Sequence, residues 1–121
     1  MRRRNRVRRE SSDPMPEKSP RRLMLERSLA EDPGDAFLRY GLAMQCLREG
    51  DVEEGRRGLR SLIEDDPDRQ IAAYQQLGQS YAEADEVPEA MAILRAGLAR
   101  AQAAGDWHAA AEMEQLLDSL G

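Results

Sequence analysis

Cysteine is almost absent from this chain. Cys46 stands alone among 121 residues, which rules out an intrachain disulfide and any multi-cysteine metal site. Aromatics are scarce as well, with one Trp, one Phe and three Tyr. No run of six or more residues alternates β-branched with polar side chains, so nothing in the chain favours a sheet. No apolar stretch approaches the roughly 18 residues that a membrane-spanning helix needs. No apolar segment follows the basic first nine residues, as it would in a secretory signal, and the expected location is therefore cytoplasmic. A glycine-rich phosphate loop, a nucleophile turn and a metal-binding histidine pair are all missing, so the expectation is a non-enzyme that needs no cofactor.

What remains is rich in Ala, Leu, Glu, Arg and Gln, the residues that lose least on entering a helix. The length suits one domain, and the fold class expected is all-α. The net charge of -5 conceals a division. Residues 1–27 hold ten basic and four acidic side chains, whereas residues 28–121 hold eight basic and nineteen acidic ones. An acidic body repels phosphate backbones, so nucleic acid could be contacted only through the N-terminal arm.

Residues 1–19 contain almost no apolar side chains and cannot bury enough surface to offset chain entropy, so a disordered basic arm is expected there. Punctuation then divides the chain into six helices. Ser19 and Pro20 open the first, which runs to about Asp32 with Leu25 and Leu29 as its buried stripe and Leu23 or Met24 beside them. The others span about 35–49, 52–65, 68–84, 87–104 and 106–120, with Gly50, Pro67 and Gly105 as breaks and Asp68 and Asp106 as capping residues.

The chain also repeats. A shift of 35 residues lays Leu42 on Leu77, Ala43 on Gly78, Cys46 on Tyr81, Gly55 on Ala90 and Leu59 on Leu94. Pro33 and Pro67 lie 34 apart. Paired helices at this period make a helical solenoid. The run Tyr74-x-x-Leu77-Gly78-x-x-Tyr81, followed by Ala90 and Leu94, resembles the tetratricopeptide repeat, and the chain is similar to small bacterial-type members of that family. The resemblance places repeats at about 36–69 and 71–104 within a domain of residues 20–121. The helix at 20–32 is then half of a preceding repeat, and the helix at 106–120 a terminal cap. Self-association is a second way to cover the ends of so short a stack.

The resemblance implies a protein-interaction module whose partner peptide lies in a groove formed by the first helix of each repeat. On the 36–49 helix, Leu38, Leu42 and Cys46 form the expected inner stripe. Phe37, Tyr40, Met44 and Leu47, with Arg48, form a second stripe that either packs on the neighbouring first helix or is left for a partner. The matching face of the next first helix is Gln75, Gln79 and Glu83. The Lys, Asn and Arg with which the family clamps a C-terminal carboxylate are missing from these positions, which disfavours a receptor for chaperone tails. His108 and the run Glu64-Asp65-Asp66 lack metal-ligand spacing and read as surface residues. Cys46 reads as a small apolar core residue. Arg2, Arg3, Arg4, Arg6, Arg8 and Arg9 make the arm either a solvated tail or an electrostatic tether to an anionic partner, and hence the alternative of an RNA- or ribosome-associated factor.

Overall fold

A computed structural model describes residues 17–121, and the basic run from Arg2 to Arg9 lies outside the described residues. Six helices and no strands are found among those described: α1 Pro20–Glu31, α2 Ala36–Arg48, α3 Val52–Asp65, α4 Ile71–Glu83, α5 Val87–Ala104 and α6 Trp107–Ser119. Each packs on the next in sequence, and α4 also touches α6. The pairs α2–α3 and α4–α5 are helical hairpins, with α1 before them and α6 after.

Local chemistry fixes the turns. The Ser19 side chain accepts from the backbone N–H of Arg22 at 3.0 Å, with Pro20 in the first turn, so one orphan donor is satisfied as the chain enters α1. Asp35 caps α2 in the same way and Asp106 caps α6. At the ends of α2, α4 and α5 the chain turns through one left-handed residue: Gly50, Asp85 and Gly105. The next residue's N–H then reaches back to Cys46, Tyr81 and Ala101 respectively, at 2.8–2.9 Å. This is the Schellman arrangement used three times. Asp85, with φ of +61°, carries a Cβ where the other two turns have glycine. Asp85→Gly is therefore expected to stabilise the chain by about 0.5–1 kcal/mol, measured as a raised urea midpoint, with no change in the helical spectrum.

The core forms two buried clusters, bridged by the partly buried Ile63, Ile93 and Leu120. Ala43, Leu59, Leu62, Ala73, Leu77, Tyr81 and Ala90 make one cluster, and Ile71, Tyr74, Leu94, Ala101, Ala109, Ala110 and Met113 another. Leu59, Leu77, Leu94 and Met113 have no exposed surface, and burying such a side chain contributes about 1.5–3 kcal/mol. Small residues let the helices approach this closely. A Cβ on Gly78 would come within 2.6 Å of Leu94, and one on Gly55 within 2.7 Å of Leu47 and 2.9 Å of the Ala43 carbonyl. Gly58, for which the repeat pattern offers no reason, faces the Ala43 Cβ, which an added methyl would meet at 3.0 Å.

Three sequence expectations change. On α1, Leu25 and Leu29 are only half-buried, and Leu23 and Met24 are 44% and 53% exposed. The side chain that α1 buries instead is Arg22, at 5%. No other helix among the described residues precedes α1 to cover its outer face, and its contact with α2 is part ionic, through Arg22, and part apolar, through the half-buried leucines. On α2, Cys46 is buried together with Ala43, while Leu38 and Leu42 remain half-buried. Leu42 borders a gap of about 120 Å³ that it shares with Leu29 and Gly58, where α1 fails to fill the space over α2 and α3. Finally, α4 begins at Ile71 rather than near Asp68. The Asp66 carbonyl accepts from both Arg69 and Gln70, closing a separate turn, and Asp68 pairs with Arg100 instead of capping.

Candidate partner-binding face

The two candidate stripes meet along α4. Met44, Leu47 and Arg48 at the end of α2 border a depression of about 430 Å³, whose far wall holds Gln79 and Glu83 of α4. On the other side of α4, Gln75, Gln79 and Glu83 border a second depression of about 560 Å³, closed by Glu112, Leu116 and Leu120 of α6. Gln79 and Glu83 belong to both. The two hollows thus lie side by side along α2, α4 and α6, the first helices of successive pairs, with Gln79 and Glu83 between them.

Phe37 and Tyr40 line neither hollow. Tyr40 and Leu47 both pack against the Leu59–Leu77 cluster. Burial pushes the Tyr40 hydroxyl above its ordinary range, and nearby Arg48 only partly opposes this. Phe37 is 84% exposed at the start of α2. The stripe thus divides, with Tyr40 turned partly into the core, Leu47 shared between the core and the first hollow, Met44 and Arg48 at that hollow, and Phe37 in solvent.

The walls are held by side chains that the repeat pattern had not singled out. Arg56 of α3 is buried, lies 4.2 Å over the Tyr81 ring, and donates to the Ser80 hydroxyl and carbonyl at 2.9 and 3.0 Å. It also pairs with Glu86 at 3.3 Å. A cation held over a ring face and bonded on its edge is fixed in place, so Arg56 braces α3 against α4 under the first hollow. Arg60 donates to the Tyr81 hydroxyl. Arg39, which stands where the second repeat has the aromatic Tyr74, ties α2 to α3 through Ser61 at 2.7 Å and Asp65 at 2.8 Å.

Arg22 makes the equivalent brace one repeat earlier. Its guanidinium bonds Asp51 at 2.9 Å and lies 3.4 Å from Glu26 and 3.7 Å from Glu49. Burial works against its charge, but the bond to Asp51 and the surrounding carboxylates outweigh that and hold the proton more tightly than in an ordinary arginine. Arg22 and Arg56 are 34 residues apart, and their partners Asp51 and Glu86 are 35 apart. That recurrence was present in the sequence, and an alignment of charged as well as apolar positions finds it.

The remaining candidates are ordinary. Burial pushes the Cys46 thiol up, with Arg22 only partly offsetting it, which makes it a poor nucleophile. His108 is exposed, 3.4 Å from Glu112. Among the described residues no group of three or more His, Cys, Asp or Glu side chains could hold a metal ion, and no helix is long and apolar enough to cross a membrane.

Comparison with known proteins agrees with this architecture. Residues 22–78 match the family model of the tetratricopeptide repeat. A TPR repeat-containing protein of Pseudomonas aeruginosa is 34% identical over 96 residues, covering 79% of this chain and 90% of its own. The solution structure of a tetratricopeptide repeat domain protein from Salinibacter ruber superposes with a TM-score of 0.68 at 26% identity, covering 73% of this chain and 88% of that one. A Bordetella parapertussis protein shares the fold, with a TM-score of 0.74 at 24% identity over 84% of this chain and 88% of its own. Tetratricopeptide repeats generally serve as protein–protein interaction modules and are generally non-catalytic. With its paired helices, its small-residue seams and a relative that matches most of its length, the chain belongs to the tetratricopeptide-repeat family.

Proposed function

We propose that this protein is an adaptor that holds a segment of a partner protein in a trough across α2, α4 and α6. One observation carries the reading: Gln79 and Glu83 line both hollows, so a single extended segment could contact all three first helices. The first hollow offers the apolar surfaces of Met44, Leu47 and Val52, which suit an apolar anchor side chain. The second adds Leu116 and Leu120 beneath the amides of Gln75 and Gln79 and the carboxylates of Glu83 and Glu112, which suit backbone bonding and a basic side chain.

The test is affinity capture from the source cell, comparing the native chain with Met44→Glu/Gln79→Ala/Glu83→Lys. Trp107→Ala serves as a control, because Trp107 is 66% exposed and lines neither hollow. The expected result is one partner held by the native chain and the control and reduced more than tenfold in the triple variant. A partner held equally by all three would place the interaction elsewhere and end the trough reading. Recovery of RNA that depends on Arg2–Arg9 and falls steeply with salt would transfer the function to the basic arm.

A further inference from the structure

We infer that the chain's own arginine segment, Arg2 to Arg9, occupies the α4–α6 end of the trough and competes there with the partner. The inference rests on the trough described above, but not on any partner being bound to it.

Charge is the first argument. Residues 71–121 carry eight carboxylates and only two arginines, Arg95 and Arg100, both on α5. α4 and α6, which form the second hollow, have no Lys or Arg at all. Among the described residues neither Glu83 nor Glu112 has a Lys or Arg partner. Glu83 accepts from Gln79 at 3.1 Å and Glu112 from Gln75 at 3.0 Å, and only His108 stands beside Glu112. The amides thus hold the carboxylates over the hollow without neutralising them. The arm places six arginines within nine residues, the densest positive charge in the chain. Guanidinium forks suit carboxylates set in a groove of this kind better than ammonium groups do.

Reach is the second argument. The chain leaves α1 at Ser19, whose hydroxyl donates to Glu49, next to Arg48 on the rim of the first hollow. Ser19 lies ten residue steps from Arg9, a span of at most about 33–36 Å. Packed helices lie about 8–10 Å apart, and α2 reaches α6 through α3 and α4, so the path is at most three helix steps, about 30 Å. The arm starts beside the trough and is long enough to cross it. The arginines of the first hollow, Arg48 and Arg56, repel it toward the α4–α6 end.

An arm that fills the site about 90% of the time weakens partner binding about tenfold, and only partners that bring their own basic residues compete well. The decisive experiment records amide NMR spectra of the full chain, without any partner, against a variant with all six arginines of the arm changed to Gln. Shifts are expected at the Gln75 and Gln79 side-chain amides and along Glu83 and Glu112. They should disappear when the comparison is repeated in a Glu83→Gln/Glu112→Gln background. They should be unchanged on tenfold dilution. Raising the salt to about 0.5 M, where screening is strong, should move the native spectrum toward that of the arm variant. Shifts confined to residues 17–22 would overturn the inference. So would shifts that fade on dilution, which would assign the arm to a second copy. Because no partner is present, either failure leaves the adaptor reading to be decided by its own capture experiment.

Discussion

Gly97→Ala is expected to destabilise the protein by about 2–3 kcal/mol, although on helix propensity alone it should stabilise α5 by about 1 kcal/mol. A Cβ at Gly97 would sit 2.5 Å from the Tyr74 Cβ and 2.8 Å from the Met113 Sδ. The Tyr74 Cβ is attached directly to the α4 backbone, so no rotamer change can move it away. Met113 has no exposed surface and no free space to enter. The helices must separate where α4, α5 and α6 converge, and the Leu94–Met113 cluster loosens with them. For a domain of this size the loss corresponds to roughly 10–20 °C in melting temperature. Gly41→Ala provides the contrast, because its Cβ would meet only the Leu25 Cδ2, at an ordinary 3.6 Å. That change should gain up to about 1 kcal/mol. Opposite signs for the two substitutions, read by urea denaturation, would establish Gly97 as a close-approach site. A neutral or stabilising Gly97→Ala would show that the seam has slack and that the glycine is not required by packing.

The repeat frame was readable because it is written in apolar and small residues at fixed spacing. Leu77, Gly78, Tyr81, Ala90 and Leu94 were named from a 35-residue shift, and all five are buried. The helix ends were equally legible where a glycine or a capping side chain acts on its own neighbours. Asp68 misled, because a capping residue and a turn residue look alike when the competing hydrogen bonds, here to the Asp66 carbonyl, come from the turn itself. Exposure at the stack's ends was beyond a local reading. Phe37 and Met24 belong to apolar faces by spacing, yet each lies mostly in solvent. The trough was half legible. Met44, Arg48, Gln79 and Glu83 were found from the faces of α2 and α4, whereas Glu112, Leu116 and Leu120 needed α6 to be recognised as a third first helix. Buried arginines were the chief omission. A helical arginine reads as solvent-facing until its partner is known, and for Arg22 and Arg56 the partners lie 29 and 30 residues along the chain.

Those partners make Arg22 the charged position with the largest expected effect. Arg22→Met keeps most of the side-chain volume and removes the charge, leaving Asp51, Glu49 and Glu26 gathered around an apolar group. One Glu49 oxygen is already buried without a hydrogen bond, 3.7 Å from the guanidinium that balances it. The expected cost is about 2–3 kcal/mol, less than for breaking a fully buried pair, since Glu26 at the edge of the cluster is 31% exposed. The loss should be local, because α1 is held mainly by this clasp and by half-buried leucines, whereas α2–α6 share the two bridged core clusters. Amide exchange should therefore accelerate across residues 20–31 while α4 and α5 remain protected. The same clasp gives α1 a pH dependence. Hydrogen bonds from the Ser19 hydroxyl and the Gln45 amide hold the Glu49 carboxyl below its ordinary range, with burial opposing and Arg22 assisting. A depressed carboxylate contributes its stability fully above its unfolded value, about 4.3, and loses it as the pH falls through the lower folded value. Acid should thus release α1 before the core unfolds, and Glu49→Gln should weaken the pH dependence of α1 protection across that window. Global unfolding of Arg22→Met with no separate α1 step would mean that the first helix is integral to the stack rather than clasped onto it.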